Sequence, residues 1–480
     1  MKNLSRKHIY WAVATLVFIY VALRAFLISF SIDEGMSYRF VVGIWEDKHH
    51  SNNHFLNTQL MKISSALFGN EPWSLRLPNL LVFVLYLWMV WKLIKDASTS
   101  FSMAFGMVVM LGLPFMLEMF AIARGYGLSM GFTLLGMAFF ILAATREMTD
   151  SHYQKQVVLS SVLLGLGVAS NLSVINVVIA IVGLLLLHQI IRLKHNSGKV
   201  NWIGFAASLV VNFISLGLGV NALLRLKANN DLVFGSQTYE ELARKSVWSY
   251  IYVQPVAMWV RYLLLVVLIL VVVLGIYTAI RKAKLYSRIS MVMAIILISM
   301  LGWVFEYEVM EANLPLGRTG VIYLPLLGYA MFLLVDYWIS HSNRWIRVTK
   351  VLASIVMAAY LYNAKAAINV REIRPWPEFA LFDKYTDVIA ELSKDREEPV
   401  VIEKHFLFRS TLNYYLLEKG INAKVNEDYG IKANAEFLLI NRKDFVMLED
   451  DPRLDNYETP EGCQDWYTRL FVRKDLLRKE

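Results

Sequence analysis

Long apolar runs alternate with short polar connections along the first three quarters of the chain. An α-helix needs about 20 apolar residues to cross a hydrocarbon core of ~30 Å. Eleven runs approach or reach that length, near 9–30, 78–94, 101–118, 127–145, 157–170, 174–191, 203–224, 256–280, 289–305, 319–339 and 350–367. The fifth and sixth are nearly continuous and together too long for one span, so the pattern places a break at Ser170-Asn171-Leu172-Ser173. From about residue 368 the pattern changes. Pro399–Ile402, Glu436–Ile440 and Tyr467–Val472 read as short strands. Arg409–Lys419 reads as a helix with Leu412, Tyr415 and Leu416 on its apolar face. The expectation is a polytopic α-helical membrane protein with about eleven transmembrane helices. Residues 1–367 would form the membrane domain, with a first outer loop at 31–77, and 368–480 a small α/β domain.

Composition supports lipid contact. Apolar residues make up 57% of the 480 residues and charged residues 18%, where soluble domains carry roughly 45–50% and about 25%. Mean hydropathy is +0.46. A single water-soluble core stops growing near ~250–300 residues, so this much apolar surface must face lipid. That excludes an ordinary cytosolic enzyme, a disordered chain and a disulfide scaffold. The single cysteine, Cys463, cannot form an internal disulfide.

The formal charge of +9 matters through its placement. Lys2, Arg6 and Lys7 precede the first run. Alternate loops then carry Lys92 and Lys95, Arg146 and Lys155, Arg192, Lys194 and Lys199, Arg281, Lys282, Lys284 and Arg288, and Arg344, Arg347 and Lys350. With eleven spans all of these fall on one side, which the positive-inside rule makes cytoplasmic. The basic charge is therefore a topology signal, and no nucleic-acid partner is expected. The N-terminus is placed in the cytoplasm. Loops 31–77, 225–255 and 306–318 and the C-terminal domain are placed outside a cell (inner) membrane. The first run is longer than a signal-peptide core and lacks a small-residue cleavage site, so it reads as a retained anchor.

The residues able to do chemistry gather at the outer ends of the runs. Asp33 and Glu34 follow the first run directly. One reading makes Asp33 the cap of a surface helix with Met36, Phe40, Val41 and Ile44 as its apolar face. The other makes it a carboxylate base at the membrane surface. Downstream, His49, His50 and His54 are three of nine histidines within six residues. They are either solvated loop residues or ligands for a divalent metal, and metal dependence stays open. Pro72 and Ser74 suit the start of the next membrane helix. Arg124 and Tyr126 stand before the fourth run, and Arg318 and Tyr323 before or at the start of the tenth. These arginines lie where the positive-inside rule does not require them. Either they snorkel to lipid headgroups, or they meet an anion, for which the guanidinium fork is suited.

This set resembles the GT-C glycosyltransferases that use polyprenyl-phosphate sugars, among them the protein O-mannosyltransferases and the lipid A aminoarabinose transferase. Asp33-Glu34 looks like the family's acidic pair. Asn53-His54-Phe55-Leu56 is similar to its HPPL segment with the prolines replaced, and Phe68-Gly69 with Leu75-Arg76-Leu77-Pro78 to its FG…LRLP stretch. Ala123-Arg124-Gly125-Tyr126 looks like its Arg-x-Tyr, and Arg318 to Pro325 like its Arg…Tyr-x-x-Pro. The likeness covers about the first 130 residues well and the rest loosely. It implies transfer of a sugar from a polyprenyl-phosphate donor to an acceptor hydroxyl on a protein, lipid or glycan at the outer face, with inversion. Asp33 would be the general base and Glu34 would orient it or help to hold a metal. His54, Arg124, Tyr126, Arg318 and Tyr323 would bind the donor phosphate. No nucleotide-sugar site is expected. Two alternatives are an O-antigen polymerase or ligase, which usually keeps its large loop between late spans, and a transporter, which should carry ionisable residues in mid-membrane.

Overall fold

The computed structural model describes residues 5–44, 51–195, 201–246, 251, 258–282, 286–341, 345–394, 396–426, 435–442 and 451–477. Fifteen helices come first: α1 Arg6–Leu27, α2 Ile32–Val41, α3 Phe55–Phe68, α4 Pro72–Ile94, α5 Ser100–Leu111, α6 Pro114–Phe120, α7 Gly125–Thr145, α8 Asp150–Ser170, α9 Ile175–His195, α10 Trp202–Ala228, α11 Tyr239–Lys245, α12 Met258–Lys282, α13 Arg288–Met310, α14 Tyr323–His341 and α15 Ile346–Ala367. Helices α16 Phe382–Ser393 and α17 Arg409–Glu418 follow, with strands β1 Val400–Lys404, β2 Ala423–Val425, β3 Phe437–Asn441, β4 Tyr457–Glu458 and β5 Thr468–Arg473.

Among the described residues eight helices are long and apolar enough to cross a membrane, or nine if the bent pair α5 and α6 is one span. The run at 101–118, read as one straight span, is that pair, and its halves are bent by 58°. The cause is local. Pro114 has no N–H for a helix ladder, and its ring clashes with the carbonyl four residues earlier. Gly112 closes α5 and Pro114 opens α6. The break expected after residue 170 is present. Asn171 ends α8, and its Oδ1 accepts from the Ser173 backbone N–H at 2.8 Å.

The chain divides into two compact units: residues 1–22, 48–57 and 78–368, and residues 23–47, 58–77 and 369–480. The tail thus shares its unit with most of the loop at 31–77. In the first unit, α7 packs on α8, α8 on α10, α9 on α13, and α14 on α5. Helices α10 and α12 keep large apolar side chains exposed, including Phe213, Leu218, Leu263, Val273 and Ile280. These are the faces that suit lipid.

The second unit is built on a five-stranded sheet of order β2-β1-β3-β5-β4. β1 runs parallel to β2 and β3, while β5 runs antiparallel to β3 and β4. Ala435, Leu438, Ile440, Tyr457 and Phe471 form one apolar cluster. Helix α16, missed in the sequence reading, buries Phe382, Tyr385 and Ile389 at helical spacing. Its Tyr385 hydroxyl donates to the Thr468 carbonyl at 2.9 Å.

Helix α2 belongs to this unit and lies on α17. A Cβ on Gly35 would come within 2.7 Å of the Ser410 backbone, so only glycine permits this approach. The residue that caps α2 is Ser31. Asp33 stands inside the first turn and is buried, as are Tyr38 and Phe40, while Ile44 is exposed. This corrects the reading of Asp33 as the cap of a helix buried along 36, 40, 41 and 44.

Candidate functional site

In the first unit, the turn at 51–54 leads into α3 and carries His54. Two anchors hold it. Arg124 donates to the Asn52 carbonyl at 3.1 Å and to Asn52 Oδ1 at 3.4 Å. The Ser51 N–H donates to Asp231 Oδ2 at 2.8 Å. Asn57 Nδ2 adds a bond to the Ala123 carbonyl at 3.2 Å. Gly125 completes the fit, since a Cβ there would lie 2.0 Å from the Ser170 carbonyl oxygen and 2.8 Å from His54 Cβ. Buried Arg124 is therefore built into the support of the His54 turn.

His54 is 7% exposed, and its ring meets that of Tyr126 edge-on at 5.1 Å. Its Nε2 is buried and has no hydrogen-bond partner among the described residues. Desolvation, reinforced by the charges of Arg124 and then Arg318, holds its pKa well below the ordinary histidine value. The imidazole is neutral at physiological pH, so what it can offer an anion is an N–H, not a charge.

Arg318 comes from the turn Gly317–Gly320 between α13 and α14. Two backbone bonds pair that connection with the segment after α10: Ser236 N–H to the Leu314 carbonyl at 2.7 Å, and Leu314 N–H to the Ser236 carbonyl at 2.8 Å. Gly235, at φ +136, permits the approach, because a Cβ would fall 2.2 Å from the Leu314 oxygen. Arg318 lies over the Phe234 ring at 5.5 Å.

Two cavities flank this turn. One, of about 140 Å³, is the more polar of the two: His54, Tyr126, Asn171, Asn176, Asp231, Glu306, Asn313 and Thr319 line it together with apolar side chains such as Leu172, Leu232 and Phe234. The other, of about 450 Å³, is lined largely by apolar side chains of α12, α13 and α14 and by Leu242 of α11. Trp303 and Pro315 line both. Gly317 and Gly320 line the apolar cavity and Thr319 the more polar one; Arg318 belongs to the same turn and is not itself among the residues lining either cavity. Tyr323, expected beside the phosphate, lines the apolar cavity and packs edge-on to Trp303 at 4.3 Å.

The second unit holds the acidic pair. Glu34 is fully buried in a two-pronged ion pair: Arg76 Nε to Oε1 at 2.7 Å and Nη2 to Oε2 at 2.8 Å. Glu34 Oε2 also accepts from the Ser31 N–H at 3.0 Å and the Ser31 hydroxyl at 2.9 Å. Arg76 donates further to the carbonyls of Ala25, Ile28 and Ser29, at 3.0, 2.7 and 3.1 Å. It thereby satisfies the C-terminal end of α1, where backbone carbonyls lack helical partners. Glu34 thus ties the turn that carries Asp33 to Arg76, and both of its oxygens accept hydrogen bonds. Asp33 is 2% exposed.

The expected site residues thus fall into two groups, one in each unit: His54, Arg124, Tyr126, Arg318 and Tyr323, and separately Asp33 and Glu34. His49 and His50 lie outside the described residues. Among the described residues no group of three His, Cys, Asp or Glu side chains is gathered as for a metal ion. The sequence reading missed Asn52, Asp231, Asn176 and Glu306. Glu306 had a signal. The ninth apolar run was ended at residue 305, which put Glu306 in a loop, whereas α13 continues to Met310.

The sequence model of the dolichyl-phosphate-mannose-protein mannosyltransferase family matches residues 55–216. No curated protein matches the sequence. Among solved structures, ArnT from Cupriavidus metallidurans in its apo state is similar at 12% identity, with 97% of each chain covered and a TM-score of 0.53. The same enzyme bound to undecaprenyl phosphate is similar at 13% identity, with the same coverage and a TM-score of 0.51. Identities this low speak to the fold, which is shared over nearly the whole chain. The chain thus shares a multi-pass membrane fold with ArnT over nearly its whole length, and the mannosyltransferase family model matches it over residues 55–216, about a third of the chain.

Proposed function

We propose that the protein transfers a sugar from a polyprenyl-phosphate donor to an acceptor hydroxyl on the extracytoplasmic face of the cell (inner) membrane, with inversion at the anomeric carbon. The observation that carries this reading is the turn at Arg318, with an apolar cavity on one side and a more polar one on the other. A polyprenyl-phosphate sugar has the same order of chemistry: an isoprenoid chain, a phosphate, then a hydroxylated ring. The isoprenoid takes the apolar cavity, the phosphate takes the Arg318 guanidinium and the His54 Nε2–H, and the ring takes the polar cavity. ArnT, which shares the fold, binds undecaprenyl phosphate.

In this reaction the acceptor oxygen attacks the anomeric carbon as the carbon–phosphate oxygen bond breaks. The bonding pair leaves on the phosphate, and Asp33 takes the acceptor proton. General-base catalysis of this kind contributes about 10²–10⁴-fold. Arg318, supported by the neutral N–H of His54, stabilises charge growing on the leaving phosphate. Arg124 acts through the turn that carries His54, and Glu34 through the turn that carries Asp33. Tyr126 packs on His54, and Tyr323 contributes to the wall of the lipid cavity.

The test is transfer by purified protein in proteoliposomes, using radiolabelled polyprenyl-phosphate sugars and envelope extract as the acceptor source. Label should move to an acceptor, and Arg318→Ala should raise KM for the donor lipid. Absence of transfer from every donor, together with failure of wild-type protein to bind undecaprenyl phosphate, would refute the reading.

A further inference from the structure

The polar cavity contains an acidic group that the reaction above does not use. Glu306 lies in the penultimate turn of α13 and lines the same cavity as His54 and Tyr126. Its Oε2 accepts a hydrogen bond from Asn176 Nδ2 at 2.8 Å. Asn176 stands in the first turn of α9 and is 7% exposed. Gly302, one turn before Glu306 on α13, makes the pair possible. A Cβ there would lie 2.4 Å from Asn176 Oδ1, so any other residue would push the amide away. Asn176, in the room that Gly302 leaves for it, therefore orients the Glu306 carboxylate at the cavity wall.

An ionisable group within an apolar helix is costly and is retained mainly where it lines a polar cavity or serves function. The amide of Asn176 occupies one of the roughly four lone-pair sites that a carboxylate offers. A carboxylate is an acceptor only, so what it recognises must donate hydrogen bonds. The cavity, at about 140 Å³, is small beside the apolar one of about 450 Å³ and suits a compact ligand group.

We propose that Glu306, oriented by Asn176, is a specificity-determining residue that reads the hydroxyls of the transferred sugar. The assignment rests on the transferase reading above and deepens it. Arg318 and His54 hold the phosphate that all donors share, and Glu306 distinguishes the ring attached to it. Glu306→Gln keeps the shape and can still pair with Asn176, but it turns part of the acceptor into a donor. A site built to accept from a hydroxyl discriminates strongly, because a mismatch leaves buried polar groups unpaired.

The experiment compares wild type, Glu306→Gln and Asn176→Ala as full-length protein in nanodiscs. Three probes are used: undecaprenyl phosphate alone, and undecaprenyl phosphate carrying mannose or arabinose. Wild type should bind at least one sugar-bearing lipid more tightly than the bare lipid. Glu306→Gln should weaken that binding roughly 10- to 100-fold, the loss expected for hydrogen bonds to a charged group, and leave the bare lipid unchanged. Asn176→Ala should weaken it in the same direction and by less. Equal loss for bare and sugar-bearing lipids would mean that the pair only staples α9 to α13, and would overturn the proposal. Unchanged binding of all three probes by Glu306→Gln would also overturn it while leaving the transferase reading intact. Failure of wild type to bind any of the three would instead remove the transferase reading, and this inference with it.

Discussion

At the scale of single residues, the site depends on burial more than on residue type. Asp33→Asn is nearly isosteric, so it should lower kcat by about 10²–10⁴-fold while expression and membrane insertion stay at wild-type levels; transfer at the full rate would remove Asp33 as the base. Arg76→Ala should behave differently. Stripping one partner from a buried ion pair leaves the other charge uncompensated, at about 3–5 kcal/mol. Both Arg76 and Glu34 have fully buried side chains, so a large fall in Tm is expected, to be read by scanning fluorimetry in detergent. His54 gives a pH signature. Its folded pKa is depressed, while the unfolded chain titrates near 6.5. Above about pH 6.5 both states are neutral and the residue contributes no pH dependence. As pH falls below that value, the unfolded chain takes up a proton that the folded site refuses, so stability declines. His54→Gln should flatten that acid limb of the Tm profile, and an unchanged limb would show that other groups cause it.

At the scale of elements, two glycines fix how segments meet. Gly35 lets α2 lie on α17, and Gly125 lets the start of α7 pass the Ser170 carbonyl and the His54 ring. Overpacking of this kind typically costs about 1–3 kcal/mol. Gly35→Ala should therefore loosen α2 and raise proteolytic sensitivity near residues 31–44. Gly125→Ala should disturb the His54 turn, lowering Tm and reducing donor-lipid affinity together. Neither role was legible in the sequence, because an interior glycine shows that room is needed without showing for what. The helices themselves were legible. Apolar runs long enough to span gave α1, α4, α7, α9, α10, α12, α13 and α14 nearly to their ends, and Asn171 marked the break between α8 and α9. Pro114 was a readable signal for the bend between α5 and α6 that run length alone obscured.

At the scale of the whole molecule, the basic loops predict a topology through the positive-inside rule. Reporter fusions should place the N-terminus in the cytoplasm and residue 480 outside. A cytoplasmic C-terminus would put the second unit on the wrong face for the proposed reaction. The tail's strands at 400, 437 and 468 were visible as short apolar runs. β2 and β4 were not, because they have only three and two residues. Chain order also suggested that the loop at 31–77 belongs with the membrane helices. The compact units instead join most of it to residues 369–480, through contacts such as Phe30 stacked on Tyr414 at 4.0 Å and the Phe30 N–H donating to the Tyr415 hydroxyl at 2.8 Å.

What the sequence determined by itself was the solvent of each segment and the inventory of reactive groups. Hydropathy is a local sum, and a helix in lipid must satisfy its backbone within itself, so spans follow from composition over about twenty residues. What only the tertiary structure decided was the use of each group. Arg76 and Glu34 saturate one another, Arg124 shapes a turn, Tyr323 faces an apolar cavity, and Glu306 is turned into the polar one by an amide on another helix. These outcomes depend on distances between residues far apart in the chain, and such distances are set by packing, not by neighbours in sequence.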